Sequence, residues 1–149
     1  MFLQLKNTTI GYKTPLIKGV ETSLKLGEIC LLIGNNGVGK TTLIKSILNQ
    51  IPTLNGEIFL QNQPLKRLSQ KEIAEQIAVV FSKSQVPTNF TLTDLVALGK
   101  YIHYPYYFQL NKSDLQEVEE IIESLNLTQY KDFPLQKLSD GNLQKAFIG

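Results

Sequence analysis

The sequence predicts an α/β fold, with an antiparallel β layer and a mixed or parallel core sheet carrying helices in one half and a helical subdomain in the other. Three observations predict it. Residues 2–12 and 19–26, FLQLKNTTIGY and GVETSLKL, alternate apolar and polar side chains, as strands with one buried face do. Two continuous apolar runs, EICLLIG at 28–34 and IAVVF at 77–81, suit strands covered on both faces. From about residue 90 the apolar spacing turns helical, so strand, helix and strand precede a helical stretch.

Composition bounds the rest. A chain of 149 residues, 42% hydrophobic, can bury one core, and its net charge of +2 comes from 15 basic and 13 acidic residues spread along the sequence. No basic stripe points to nucleic acid, and none is expected as a partner. No apolar run approaches the length that crosses a bilayer, and the N-terminus lacks the basic-then-apolar pattern of a secretion signal. The single cysteine, Cys30, sits inside the apolar run 29–33 and is expected to be a buried structural thiol in a reducing compartment.

Along the chain, the two alternating segments form a first hairpin-like layer, and the run 28–34 ends at Gly34. A helix is expected from about Lys40 to Asn49, burying Leu43, Ile44 and Ile47. GEIFLQNQPL, 56–65, returns to strand pattern, a short helix spans about Ser69 to Glu75, and 77–81 is a second fully apolar strand. Thr91 with Asp94 forms a capping pair before LVALGK, and Ser113 with Gln116 forms another before a longer helix. That helix places Leu115, Val118, Ile122 and Leu125 on one face, and Glu117, Glu119, Glu120 and Glu123 make a solvated acidic side. His103, the only histidine, lies in the aromatic loop YIHYPYYF without a second ligand at metal spacing, so it reads as a loop residue.

The strongest chemical signal is GNNGVGKTT: Gly34, Asn35, Asn36, Gly37, Val38, Gly39, Lys40, Thr41 and Thr42. Glycine, four residues and then Gly-Lys-Thr, between an apolar strand and a helix, is the phosphate-loop pattern. The glycines let successive amide N–H groups converge on phosphate oxygens, and the following helix adds its positive end. Lys40 brings a point charge to the β and γ phosphates, and the Thr41 hydroxyl is the expected Mg²⁺ ligand. Nucleotide binding follows.

Tyr12, this loop and LSDGN at 138–142 together resemble the nucleotide-binding subunit of ATP-binding cassette (ABC) transporters. The resemblance implies ATP and Mg²⁺ as ligands, Tyr12 stacked on adenine, and a signature formed by Ser139, Asp140, Gly141 and Asn142. The family's usual signature is Leu-Ser-Gly-Gly-Gln, so Asp140 and Asn142 depart from it. It also implies a head-to-tail pair of nucleotide-binding subunits, in which Ser139 caps a helix aimed at the γ-phosphate held by the other subunit. Asp140 then sets a carboxylate beside that anion and weakens the contact.

The stretch from IAVVF through VALGK to the aromatic-proline segment resembles importer ATPases for iron-siderophore, heme and cobalamin complexes. Membrane subunits are the implied partners, the inner face of the cell membrane the implied location, and an iron complex or similar metal chelate the implied cargo. Many relatives carry a glutamine at the end of that strand; Ser82 occupies the position here, and Gln85 follows three residues later. The domain is expected to divide into a β layer and phosphate-loop core at about 1–82, a helical subdomain at about 90–137 and the start of the signature helix at 138–149.

In the family an apolar strand ending in Asp-Glu supplies a Mg²⁺ contact and polarises the attacking water, and a later histidine meets the γ-phosphate. No apolar run in these 149 residues ends in Asp-Glu. The sequence is therefore expected to be the front part of a longer domain, with no catalytic residue present and hydrolysis near background on its own. Another phosphate-loop class, a soluble ABC protein or a kinase, and a nucleotide-binding remnant without hydrolysis are the alternatives.

Overall fold

The computed structural model describes residues 1–80, 89–104 and 109–149, the side chains at 102 and 103 excepted. The chain divides into two units, Met1–Ile77 and Ala78–Gly149.

In the first unit, β1 (Leu3–Gly11) and β2 (Pro15–Leu24) form the expected hairpin. β3 (Asn55–Leu60) lies antiparallel on the other side of β1, and β4 (Gln63–Pro64) completes a sheet of order β2-β1-β3-β4. Leu5 stands opposite both Thr22 and Ile58, and Leu3 opposite Leu60, so the inward face of the alternating pattern comes into one register. A bulge interrupts β1 beyond Lys6: Asn7 donates its amide to the Glu21 carboxylate at 2.7 Å, and buried Thr8 donates its hydroxyl to the Glu57 carbonyl at 3.0 Å. Leu5, Ile58, Leu60, Leu65, Leu68 and Ile73 form the core, with Leu43 and Ile47 packed against it from α1 (Lys40–Ile47). Ser69 caps α2 (Gln70–Ala74) reciprocally with Glu72, whose carboxylate accepts from the Ser69 hydroxyl and amide and is thereby held below the usual carboxylate range.

The run 28–33, expected as a doubly covered strand, pairs with no described strand; Ile29 is 99% exposed, and Leu31 and Ile33 are open as well. Residues 77–80, the described part of the second apolar run, form no strand either. A strand of this kind is held by neighbours on both sides, and the four-stranded antiparallel sheet is the one sheet among the described residues. Cys30, expected buried, is exposed for the same reason. The orientation of α1 changes too: Thr42 and Ser46 are its buried residues, while Ile44, expected in the core, is exposed.

The second unit is helical. Thr91 and Asp94 cap α3 (Leu92–Ala97) as expected, with the Asp94 amide donating to Thr91 Oγ1 at 3.2 Å and the Thr91 amide to Asp94 Oδ2 at 2.9 Å. α4 (Lys112–Ser124) is capped by Asn111 and Asp114 rather than by Ser113 and Gln116. Asn111 provides a side-chain acceptor at the first turn and Asp114 an acidic partner at its third residue, so the box closes two residues earlier. Leu115, expected on the buried face, is exposed, while Val118 and Ile122 are buried and Leu125 packs at the edge. Leu92, Leu95, Val96, Val118, Ile122, Leu127, Leu135 and Ala146 make one closed core, which α5 (Asp140–Ile148) joins through Ala146.

Candidate functional site

The phosphate-loop segment runs from Gly34 into the first turn of α1. Gly37 at φ 83° and Gly39 at φ 105° take left-handed conformations that a side chain resists, and this curls the backbone back on itself. Gly39 is the residue that precedes the helix, and the Leu43 amide closes the first helical bond on its carbonyl at 2.8 Å. The amides of Lys40, Thr41 and Thr42 are thus the donors that a helix start leaves without an intrahelical partner. Lys40 Nζ donates to the carbonyls of Gly34 at 2.6 Å and Asn35 at 2.8 Å, so the ammonium is parked on the rim of its own loop. An arriving phosphate offers that cation a charged partner in place of two neutral carbonyls.

Thr41 is exposed and Thr42 buried, so Thr41 carries the hydroxyl open to solvent at the helix start. Among the described residues no group of three or more His, Cys, Asp or Glu side chains could hold a metal. One hydroxyl beside a phosphate-binding turn fits Mg²⁺ that arrives coordinated by phosphate oxygens, and it does not fit a metal held by protein ligands alone.

Tyr12 sits in the turn between β1 and β2 and is 61% exposed. A Cβ on Gly11 would stand 2.1 Å from the Thr14 carbonyl oxygen, so glycine permits this tight turn. A Cβ on Gly39 would stand 3.2 Å from the Ile17 side chain and 3.6 Å from Leu16. The start of β2 therefore abuts the phosphate loop, and the turn that carries Tyr12 is anchored next to it. Gly11 and Ile17 are site-building residues that the motif reading did not single out. The one sequence signal is a glycine directly before the aromatic.

Ser139, Asp140, Gly141 and Asn142 open α5 in the second unit. Ser139 caps it, its Oγ accepting from the Asn142 amide at 3.3 Å, and Asp140 is an exposed carboxylate in the first turn. Among the described residues a side chain at Gly141 would meet nothing within 4 Å, so their packing does not require glycine there. Ser82 and Gln85 fall outside the described residues, as does the side chain of His103.

A family model described as ABC transporter matches residues 17–149. The chain belongs to the ABC transporter family. Relatives include the petrobactin import ATP-binding protein FpuD of Bacillus anthracis, 31% identical over 147 residues, which cover 98% of this chain and 54% of that protein. The ferric enterobactin transport ATP-binding protein FepC of Escherichia coli (strain K12) is 27% identical, with 98% of this chain and 54% of that protein covered. The chain thus spans about half the length of these ABC relatives. Solved structures share the fold. One is cbiO1 from Clostridium perfringens, part of the ABC transporter complex cbiONQ (TM-score 0.80, 24% identity, 99% of this chain and 59% of that chain). Another is the ADP conformation of MJ1267, an ATP-binding cassette of an ABC transporter (TM-score 0.82, 23% identity, 99% and 62%). The fold is that of ABC ATP-binding domains, mixed α/β.

Proposed function

We propose that this chain is the nucleotide-binding portion of an importer's ATP-binding subunit, and that it binds ATP with Mg²⁺ through residues 34–42 and Tyr12. The observation that carries the reading is the loop at the head of α1, where Gly37 and Gly39 turn left-handed and Lys40 Nζ rests on the Gly34 and Asn35 carbonyls beside the turn of Tyr12. Lys40 leaves those carbonyls for phosphate oxygens, the amides of the first turn of α1 receive the same phosphates, and the ring of Tyr12 offers a flat face to adenine. Mg²⁺, bound with the nucleotide, neutralises phosphate charge, and Thr41 contributes one oxygen to it.

Hydrolysis belongs to a domain of the relatives' full length, in which an acidic residue polarises water. The relatives' names support import of an iron chelate as the work of the whole protein. Membrane subunits fit the exposed Leu98 and Tyr101 near Gly99, where a side chain would meet nothing within 4 Å among the described residues. Among the described residues no helix is long and apolar enough to cross a membrane, which is compatible with a peripheral place on the cytoplasmic face. A second nucleotide-binding subunit, paired head to tail, would bring its helix α5 to the phosphates. Asp140 favours a second reading, nucleotide binding with little hydrolysis, because its carboxylate opposes an anion at that helix start.

Titration with a fluorescent ATP analogue tests the reading. Saturable, Mg²⁺-dependent binding that weakens by about a hundredfold in Lys40→Ala is expected, since two charge-assisted hydrogen bonds are lost. Equal affinity of wild type and variant would contradict it.

A further inference from the structure

In the helical unit the start of α3 is joined to the segment that leads into α5 by a set of main-chain bonds. The Leu92 amide donates to the Phe133 carbonyl at 3.1 Å, the Thr93 amide to the Lys131 carbonyl at 3.0 Å, and the Leu135 amide to the Phe90 carbonyl at 3.0 Å. Thr91 and Pro134 thereby form an antiparallel bridge. Proline suits that place, because it has no amide for the bridge to leave unpaired. One side chain joins in: Thr93 Oγ1 donates to the Lys131 carbonyl at 2.9 Å, so a carbonyl 38 residues away in sequence accepts twice from the same threonine.

A helix leaves its first amides without intrahelical partners, to be met by a cap, by water or by a ligand. In α3 they are met by the chain itself: Leu92 and Thr93 by the carbonyls of Phe133 and Lys131, and Asp94 by Thr91 Oγ1. In α5 the Asn142 amide has Ser139 Oγ, whereas those of Asp140 and Gly141 have no hydrogen-bond partner among the described residues. One helix start is closed on a distant segment, and the other is open. Little slack separates them. The Lys137 amide donates to the Pro134 carbonyl at 2.9 Å and the Leu138 amide to the Leu135 carbonyl at 3.2 Å, and Ser139 follows at once as the cap of α5. Leu135 is 1% exposed and belongs to the same core as Leu92 and Ala146, so side-chain packing runs alongside the main-chain bonds.

We infer that Thr93 is a positioning residue for the signature segment: its hydroxyl holds the Lys131 carbonyl, which fixes the lead 131–135 and, through it, the place from which Ser139 and the open amides of α5 meet a phosphate. Thr93 acts through the main chain and not on the nucleotide. The motif reading passed over it because its partner lies far away in sequence. The consequence for ATP rests on the proposed function, but the measurement that tests the tie uses no nucleotide, so failure of one is distinguishable from failure of the other.

Amide hydrogen exchange by NMR on the full chain, compared with Thr93→Val and Thr93→Ser, provides the test. Valine keeps the shape of threonine and removes the hydroxyl, and serine keeps the hydroxyl. One hydroxyl-to-carbonyl bond corresponds to about two- to tenfold in a local opening equilibrium. Thr93→Val is expected to speed exchange at the Leu135 and Asn142 amides by that factor. Thr93→Ser should exchange as wild type does, and the amides of Val118 and Ile122 in α4 should be the same in all three proteins. An unchanged Asn142 amide in Thr93→Val would mean that the tie stops short of the signature. Serine behaving as valine does would remove the hydroxyl as the cause, and equal acceleration in α4 would make Thr93 a support of the whole unit. Each of these results would overturn the inference.

Discussion

The two units solve the same problem, covering apolar surface, in different ways. The helical unit closes on itself: Leu92, Val118, Ile122, Leu127 and Leu135 are almost fully buried, and three of its helix starts are capped by Thr91, Asn111 and Ser139. The first unit does not close. Leu3, Leu5, Val20, Leu24, Leu32, Leu43 and Ile47 line a groove of about 350 Å³, and Ile29, Leu31 and Ile33 stand beside it in water. Helices draw their hydrogen bonds from their own residues and their cores from near neighbours in sequence, whereas a doubly covered strand needs partners from elsewhere. Covering each of those isoleucines and leucines is worth roughly 1.5–3 kcal/mol, so the open face is a place where further structure would be strongly stabilised. The candidate nucleotide site sits at the rim of that open unit.

The largest expected effect breaks the closed unit. Leu92→Ala removes a side chain at 0% exposure and should cost about 2–5 kcal/mol, read as a lowered denaturant midpoint. The matching change in the open unit, Ile29→Ser, should change the unfolding free energy by less than about 0.5 kcal/mol, because the side chain, 99% exposed, has almost nothing to lose. Equal costs would erase the contrast between the units. Gly39→Ala comes next: at φ 105° with Ile17 3.2 Å from the new methyl, it should cost roughly 1–3 kcal/mol and loosen the phosphate loop, checked by thermal melting and by nucleotide affinity.

How much was legible beforehand follows the same division. The phosphate loop was readable because Gly34, Gly37, Gly39, Lys40 and Thr41 interact within a few residues of one another. The Thr91–Asp94 box was readable for the same reason. The α4 cap was misplaced because Ser113 and Asn111 are both good caps, and the choice falls to Asp114, whose carboxylate also accepts from Tyr104 at 2.9 Å. The runs 28–33 and 77–81 carry the composition of covered strands but no information about what covers them, so Cys30 and Ile44 were assigned to a core that the described residues do not supply. The packing of Gly39 on Ile17 joins residues 22 apart through sheet geometry, which no local pattern encodes.

A smaller effect sharpens the picture of the helical unit. Tyr104 donates its hydroxyl to Asp114, and this bond, with burial, raises the tyrosine above its ordinary value; Lys100, paired with Glu117 and near Asp114, stands beside them. A raised folded-state value means stability that is fully present below about pH 10, the unfolded tyrosine's value, and is lost as pH climbs through the folded one. Tyr104→Phe should therefore be less stable than wild type at neutral pH, with the gap closing above about pH 10 in pH-dependent denaturant melts. A gap that persists unchanged in strong alkali would remove the hydrogen bond from the account.

Hydrogen exchange on the chain, with and without ATP and Mg²⁺, tests the central claim most directly: one unit is closed, and the other is open and carries the nucleotide site. Slow exchange is expected throughout α3 and α4 in both conditions, fast exchange at 28–33 without nucleotide, and new protection at 34–42 when ATP is added. Strong protection of 28–33 in the free chain, or no change at 34–42 with saturating ATP and Mg²⁺, would contradict it.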